Sequence, residues 1–310
     1  MARVLFLTHV LPYPLDSGAR VRAYHMLRRL SDRHQVTLVS FARPDDSQAA
    51  IVHLRQICED VAVAPIPRSL RQNLGAIFRG LATGLPMVIA RDESPQMAAL
   101  LRRLTRQRPF AVVHADQTAM AGYGQLAAAA AARPPRTLLD QHNAVHILAR
   151  RMALSERQPL RRWIMRREAN AFRRYERDMC SAYDAILTVT AEDREHLLRL
   201  FPSFQQASLA AKFVVTPISV DPTRVAPVAH TPPDNGPLIL HLGTMFWPPN
   251  VEGVLWFARS VLPLIHQAQP TARFAIIGKN PPPAVQALAA DPRIEVTGYL
   301  ADPSSYLRAA

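Results

Sequence analysis

Cysteine is nearly missing from this chain of 310 residues. Cys58 and Cys180 are too few for a disulfide framework, and no C-x-x-C or His/Cys cluster suggests structural zinc. That usage suits a reducing cytoplasm. No apolar run approaches the roughly 20 residues of a membrane span. An apolar strand begins at Val4, so no signal peptide is expected. No G-x-G-x-x-G follows that strand, which argues against a dinucleotide-dependent dehydrogenase. Lysine is scarce too, so the formal net charge of +13 is almost all arginine. Such an excess suits anionic partners: phosphate-bearing ligands, acidic lipid surfaces or nucleic acid. The arginines are spread widely and no nucleic-acid-binding motif accompanies them, so nucleic acid is not expected as a partner.

What the chain does contain is a series of short apolar runs separated by helical patterns. The hydrophobic fraction of 49% suits a globular protein with a substantial core. Val4-Leu5-Phe6-Leu7 reads as a strand buried on both faces. Pro12, Tyr13 and Pro14 force an extended loop, and Asp16 and Ser17 offer an N-cap to a helix over 17–33. Gly18 stands at the helix start, where free backbone N–H groups can hold an anion.

The alternation continues with strands at Gln35–Phe41 and Val61–Ala64, then an irregular excursion over 65–93. Further strands follow at Phe110–His114, Arg136–Asp140, Asp184–Val189 and Phe213–Val215. Helices alternating with short apolar strands predict a parallel sheet flanked by helices. Ligand sites in open α/β sheets lie outside the carboxyl ends of strands, which is where Asp116 and His142 fall. Thr190 and Asp193 imitate a capping box.

Residues 147–180 are the most basic stretch. Arg162, Arg166, Arg173 and Arg177 share one side of a helix by spacing, and Leu160, Ile164, Ala171, Tyr175 and Met179 share the other. Glu168 interrupts the apolar side and is expected to turn toward Arg161 or Arg167. A solvated basic face is the plain reading; the sharper one has residues 160–178 resting on anionic lipid headgroups.

Prolines 217, 222, 227, 232 and 233 mark a linker, giving a first domain over 1–220, a linker over 221–236 and a second unit over 237–310. The second unit opens with strand Pro237–Leu242, then Gly243-Thr244, a loop at Trp247–Asn250 and a helix over 250–266. Strands Thr271–Ile277 and Ile294–Thr297 end at Gly278-Lys279 and Gly298-Tyr299. Three strands make half of a doubly wound domain, so a truncated sequence is expected.

This order of elements resembles the GT-B glycosyltransferases, specifically the family-4 (glycosyltransferase group 1) type. The resemblance rests on LFLTHVLPYPLDSGARVRAYHMLRRLSDRHQVTLVSF, Asp140-Gln-His-Asn143, ILTVTAEDREHL, HLGTMFWPPNVEGVLWF, FAIIGK and VTGYL. It implies an α/β fold of two Rossmann-like doubly wound domains, the second only about half present. It further implies transfer of a sugar from a nucleotide-diphosphate donor to a glycan or lipid-linked acceptor, retaining and without a required metal or other cofactor. Such an enzyme works in the cytoplasm, peripheral at the inner face of the cell membrane. His142 and Gly18 are then the catalytic candidates, and Ser17, Arg22, Asp116 and Asn143 lie on the acceptor or sugar side. Gly243, Thr244, Gly278, Lys279, Gly298, Tyr299 and Leu300 lie on the donor side. Many family members carry an Arg and a Lys after the glycine matching Gly243; here Thr244–Asn250 supplies no cation. Pro217 and Asp221 match the family's linker start, with Ile218 and Ser219 in place of Asn-Gly. The alternative from another class is a non-catalytic glycan- or lipid-binding module.

Overall fold

The computed structural model describes residues 1–44, 46–66, 70–219, 229–231, 236–245 and 247–310. Two compact units divide the chain, Met1–Val220 and Asp221–Ala310. Of the linker expected over 221–236, residues 221–228 and 232–235 lie outside the described residues, Asp221 and four of the five prolines among them.

In the first unit β1 (Arg3–Thr8) leads to α1 (Gly18–Ser31), β2 (Gln35–Ala42), α2 (Gln48–Arg55) and β3 (Asp60–Pro65). Next come α3 (Leu70–Thr83), α4 (Met87–Arg91), α5 (Pro95–Gln107), β4 (Val112–Asp116), α6 (Ala121–Ala130) and β5 (Arg136–Gln141). The unit closes with α7 (Val145–Ser155), α8 (Pro159–Ala182), β6 (Ala185–Thr188), α9 (Ala191–Leu198), α10 (Ser203–Ala210) and β7 (Phe213–Val215). The strands form one parallel sheet in the order β3-β2-β1-β4-β5-β6-β7. The chain therefore reverses its direction across the sheet between β1 and β4, and ligands of such sheets bind at the carboxyl ends beside that reversal.

Successive side chains of a strand point to opposite faces, and here both faces are buried. Leu5 and Leu7 join Val39, Phe41, Val113 and Leu139 in one core cluster. Val4 and Phe6 point the other way, against Tyr24 and Leu27 of α1 and Leu54 of α2. This alternation decides the site: with Val113, Ala115 and Leu139 on the first face, His114, Asp116 and Asp140 all fall on the α1 face.

The excursion over 65–93 is more regular than its glycines suggested, forming α3 and α4. α3 turns its small residues Ala76 and Gly80 inward; a Cβ at Gly80 would sit 3.2 Å from the Leu85 carbonyl. Leu74, Ile77, Phe78 and Leu81, at i, i+3, i+4 and i+7, face solvent instead. The basic stretch is broken into α7 and α8, because Pro159 takes the first position of the second helix, where its missing N–H does no harm. Ala171 and Tyr175 of its expected apolar side are buried, but Leu160 is 70% exposed, in the first turn of α8. Glu168 pairs with Arg167 and accepts the Met87 N–H at 2.8 Å.

The second unit holds β8 (Leu238–Leu242), α11 (Pro248–Trp256), α12 (Leu262–Ala268), β9 (Arg273–Ile277), α13 (Pro283–Gln286), β10 (Ile294–Gly298) and α14 (Ser304–Ala309). Its sheet is parallel, in the order β10-β9-β8, over a core of Met245, Val254, Leu262, Phe274 and Ile276. Two local expectations change. Pro248, Pro249 and Asn250 form the first turn of α11, not a loop, since proline suits that position. The helix expected over 250–266 widens into a π turn at Phe257–Val261, just before Pro263, which has no N–H to continue the helical ladder.

Candidate functional site

At the carboxyl edge of the first sheet, the Arg22 side chain of α1 reaches Asp140 of β5. Arg22 is 3% exposed and Asp140 is fully buried. The Arg22 Nε donates to both Asp140 carboxylate oxygens at 3.1 Å, and Nη2 donates to Oδ1 at 2.8 Å. Its Nη1 donates to the Thr216 carbonyl at 2.7 Å. His142, in the loop after β5, donates from Nε2 to Asp116 Oδ1 at 2.9 Å. Burial disfavours the charged imidazole, but the carboxylates of Asp116 and Asp140 outweigh it and raise His142 above the ordinary histidine value; Arg22 opposes them. Burial likewise pushes Asp140 up, yet His114, Arg22 and His142 prevail and hold it below the usual carboxylate range. The His114 Nε2 lies 3.8 Å from Asp140, beyond hydrogen-bond range, so it acts through space.

The loop carrying His142 is pinned from two sides. Asp193 of α9 accepts the Ala144 N–H at 3.0 Å while its own N–H donates to the Thr190 hydroxyl at 3.0 Å. Glu176 of α8, fully buried, accepts the Val145 and His146 N–H groups at 2.8 and 2.9 Å and bonds the His146 Nδ1 at 2.6 Å. A buried carboxylate thus caps the N-terminus of α7, satisfying donors that a helix start leaves unpaired. Beside Asp116, Gln117 is held at φ 71° and ψ 157°, a conformation costing a non-glycine residue about 1–3 kcal/mol. Its N–H donates to the Asp140 carbonyl at 2.9 Å.

The expected residues of this unit therefore divide. Asp116 and His142 meet. Arg22, expected to face an acceptor, is instead buried against Asp140 and Thr216, and positions the carboxylate from below. Ser17 occupies the N-cap position of α1 with extended backbone, but its hydroxyl makes no cap bond. Gly18 is exposed and a Cβ there would meet nothing within 4 Å, so the helix start is open to an approaching anion. Asn143 is exposed beside His142. Asp116, Asp140 and His142 each present one ligand atom within 4.8 Å of the others. A metal ion there would have to displace the Arg22 and His142 hydrogen bonds, and the two carboxylates already face a guanidinium and an imidazole of raised pKa.

A second histidine–carboxylate pair escaped the sequence reading. His9, directly after β1, bonds from Nε2 to Asp92 Oδ2 at 2.8 Å, and Arg91 Nε donates to Oδ1 at 2.9 Å. Burial pushes Asp92 up, but His9 and Arg91 overcome it and hold the carboxyl well below its usual range. The signal available was the position of His9 at a strand end, the same one that marked His142.

In the second unit the ends of all three strands converge. The Gly243 N–H donates to the Ile277 carbonyl, Met245 N–H to Lys279, and Gly278 N–H to Gly298, at 3.0, 2.9 and 2.8 Å. A Cβ on Gly278 would lie 1.7 Å from the Gly243 carbonyl oxygen, and Gly298 has φ +74°, so both positions demand glycine. Asn250 Nδ2 donates to the Thr244 carbonyl at 2.9 Å. The Lys279 ammonium lies 4.6 Å from the centre of the Tyr299 ring, and Tyr299 is 59% exposed. Leu300 follows it, half-buried. A cation, Lys279, therefore stands at the strand end next to that of Gly243.

Residues 17–224 match the model of Glycosyltransferase Family 4, and residues 236–310 match that of Glycosyl transferases group 1. The chain belongs to glycosyltransferase family 4. An uncharacterized 44.6 kDa protein in the cps region of Klebsiella pneumoniae is 22% identical to this family-4 chain over 284 residues, which is 90% of this chain and 65% of that protein. The chain thus spans 65% of the length of that curated relative. Solved structures share the GT-B fold. The apo lipopolysaccharide outer core galactosyltransferase WaaB aligns with 99% of this chain and 71% of its own at TM-score 0.54 and 11% identity. A mutant of S. aureus TarM, in complex with Fondaparinux, alpha-GlcNAc-glycerol and UDP, aligns with 99% and 79% at TM-score 0.57 and 8% identity. The E. coli structure described as trehalose-6-phosphate bound with UDP-2-fluoro glucose aligns with 99% and 76% at TM-score 0.57 and 12% identity.

Proposed function

We propose that this family-4 chain serves glycosyl transfer, moving a sugar from a nucleoside-diphosphate donor to a glycan or lipid-linked acceptor with retention of configuration and without a required metal. The observation that carries this reading is the His142–Asp116 pair, held at the carboxyl edge of a parallel sheet in a chain of this family. Asp116, as carboxylate, fixes Nε2 as the donor nitrogen of His142 and leaves Nδ1 for a sugar hydroxyl. In the second unit, the backbone at Gly243, Thr244, Gly278 and Gly298 supplies the diphosphate contacts, with Lys279 as the cation and Tyr299 and Leu300 beside the nucleotide. Oriented N–H groups and a cation stabilise the charge that grows on the leaving diphosphate. The open start of α1 at Ser17 and Gly18 offers a further anion contact, and Asn143 a polar one on the acceptor side. The UDP and UDP-2-fluoro glucose named with two of the similar structures support a UDP-sugar as the donor.

We place the work at the cytoplasmic face of the cell membrane. The arginines of α8 and the outward apolar stripe of α3 suit a peripheral contact with anionic lipid, and no helix among the described residues is long and apolar enough to cross a membrane. The test is release of UDP from UDP-glucose and other UDP-hexoses, with His142→Ala beside the wild type. Turnover falling by about a hundredfold or more supports the assignment. Unchanged turnover removes His142 from the chemistry. Binding of acceptor glycans with no affinity for UDP identifies a binding module instead.

A further inference from the structure

The basic stretch does not spread its arginines over one flat face. α7 and α8 lie side by side, and together with the end of α9 they enclose an open cavity of about 480 Å³. Arg150 enters it from α7, Arg166 and Arg173 from positions two turns apart on α8, and Arg199 from just beyond α9. No acidic residue lines it. Arg199 has a surface partner in Glu195 at 2.8 Å, and the two lining histidines are each taken by a glutamate, His146 by Glu176 and His196 by Glu192. Arg150, Arg166 and Arg173 make no ion pair with any described residue. Three unpaired guanidinium groups around one small space repel one another, and a multivalent anion turns that repulsion into binding. Guanidinium forks match phosphate oxygens two at a time. A single carboxylate would leave most of this charge unanswered. Apart from Asn170, the rest of the wall is apolar, with Ile147, Leu154 and Leu200, and Leu154 is 65% exposed with nothing in the unit to cover it.

We propose that this cavity binds the phosphate or diphosphate group of an amphiphilic ligand, its hydrocarbon part lying along Ile147, Leu154 and Leu200. Naming that ligand the acceptor rests on the transfer reading above; binding itself does not. The cavity begins at His146, in the first turn of α7, which the His142 loop enters.

Isothermal titration of the chain with farnesyl diphosphate, inorganic pyrophosphate and farnesol tests the proposal. Farnesyl diphosphate is expected to bind at least tenfold more tightly than either pyrophosphate or farnesol. Arg166→Ala and Arg173→Ala are each expected to weaken it about tenfold or more, with the circular dichroism spectrum unchanged because both side chains are exposed. Arg157→Ala, an exposed arginine outside the cavity, should bind as the wild type. Equal affinity for pyrophosphate and farnesyl diphosphate overturns the amphiphile assignment in favour of a free-anion site. Equal losses in Arg157→Ala and the cavity variants overturn the site altogether. Binding that falls as expected in a chain that transfers no sugar supports the cavity and counts against the transfer reading, so the two failures are distinguishable.

Discussion

Removing the Arg22 side chain leaves Asp140 as a buried carboxylate with its principal partner gone. Arg22 is 3% exposed and Asp140 0%, and three hydrogen bonds of 2.8–3.1 Å join them. Breaking such a pair from one side typically costs about 3–5 kcal/mol, because the remaining charge has neither water nor counterion. Against a total stability on the order of 10 kcal/mol that is a large loss. Arg22→Met should therefore lower the urea midpoint of the first unit's transition strongly. Arg22→Lys should recover only part of the loss, since an ammonium cannot make the forked contact to both carboxylate oxygens or reach the Thr216 carbonyl at the same time. Arg22→Met with Asp140→Leu should lose less than Arg22→Met alone, because the stranded charge is gone. Substitutions at the two positions move His142 in opposite directions: Asp140→Asn removes a carboxylate that raises its pKa, and Arg22→Met removes a cation that lowers it. Equilibrium urea unfolding at pH 7 and NMR titration of the His142 ring measure both effects. A loss under about 1 kcal/mol for Arg22→Met, typical of an exposed pair, would refute the reasoning.

Four further outcomes are expected. Because the folded-state pKa of His142 is raised, its contribution to stability is complete below the unfolded histidine value of about 6.5 and is lost as pH rises through the folded value; the stability gap between wild type and His142→Gln should shrink on going from pH 5.5 to pH 8.5. Asp140 has a lowered pKa, so its contribution is present above the unfolded aspartate value of about 3.9 and vanishes on acidification through the folded value; acid unfolding of Asp140→Asn should show a shallower pH dependence. Gly278→Ala drives a Cβ to 1.7 Å from the Gly243 carbonyl and should destabilise the second unit by about 2 kcal/mol or more in thermal unfolding, while Gly253→Ala, with open space around it, should not. Phe78→Ser with Leu81→Ser should reduce flotation with phosphatidylglycerol-containing liposomes at high salt, where headgroup attraction is screened, and flotation indifferent to both changes would exclude α3 as the lipid contact.

The fold was legible because its signals are local and periodic. β1 carries a continuous apolar run, β2, β4 and β5 carry shorter apolar stretches, and turn or helical patterns separate them. Asp116 and His142 could be singled out because both lie at or just past strand ends, and in a parallel sheet such positions meet at one edge. The partnership of Arg22 was hidden for the opposite reason. Arg22 and Asp140 are 118 residues apart, and only the face alternation of β5 together with the packing of α1 brings them together. Glu176 looked like one more charge on a charged helix; its burial depends on α7 folding back over α8 after the break at Pro159. Spacing along α8 correctly aligned Arg166 with Arg173, but Arg150 and Arg199 come from other helices, so a stripe in one dimension became a cavity in three. The π turn at Phe257–Val261 had a visible cause in Pro263, whereas the place of the widening depends on how α11 packs.

The crossing of Gly278 under the Gly243 carbonyl has a bearing on how such a unit diversifies. Main chain occupies that junction: a side chain at Gly278 would collide with the Gly243 carbonyl, one at Gly298 would sit in a strained left-handed backbone, and one at Gly243 would press on the Asn250 side chain. Variation is confined to the flanks, at Thr244, Lys279 and Tyr299, whose side chains stand around a frame that stays the same. A library that randomises those three positions samples the recognition such a unit can evolve, and one aimed at Gly278 samples misfolding.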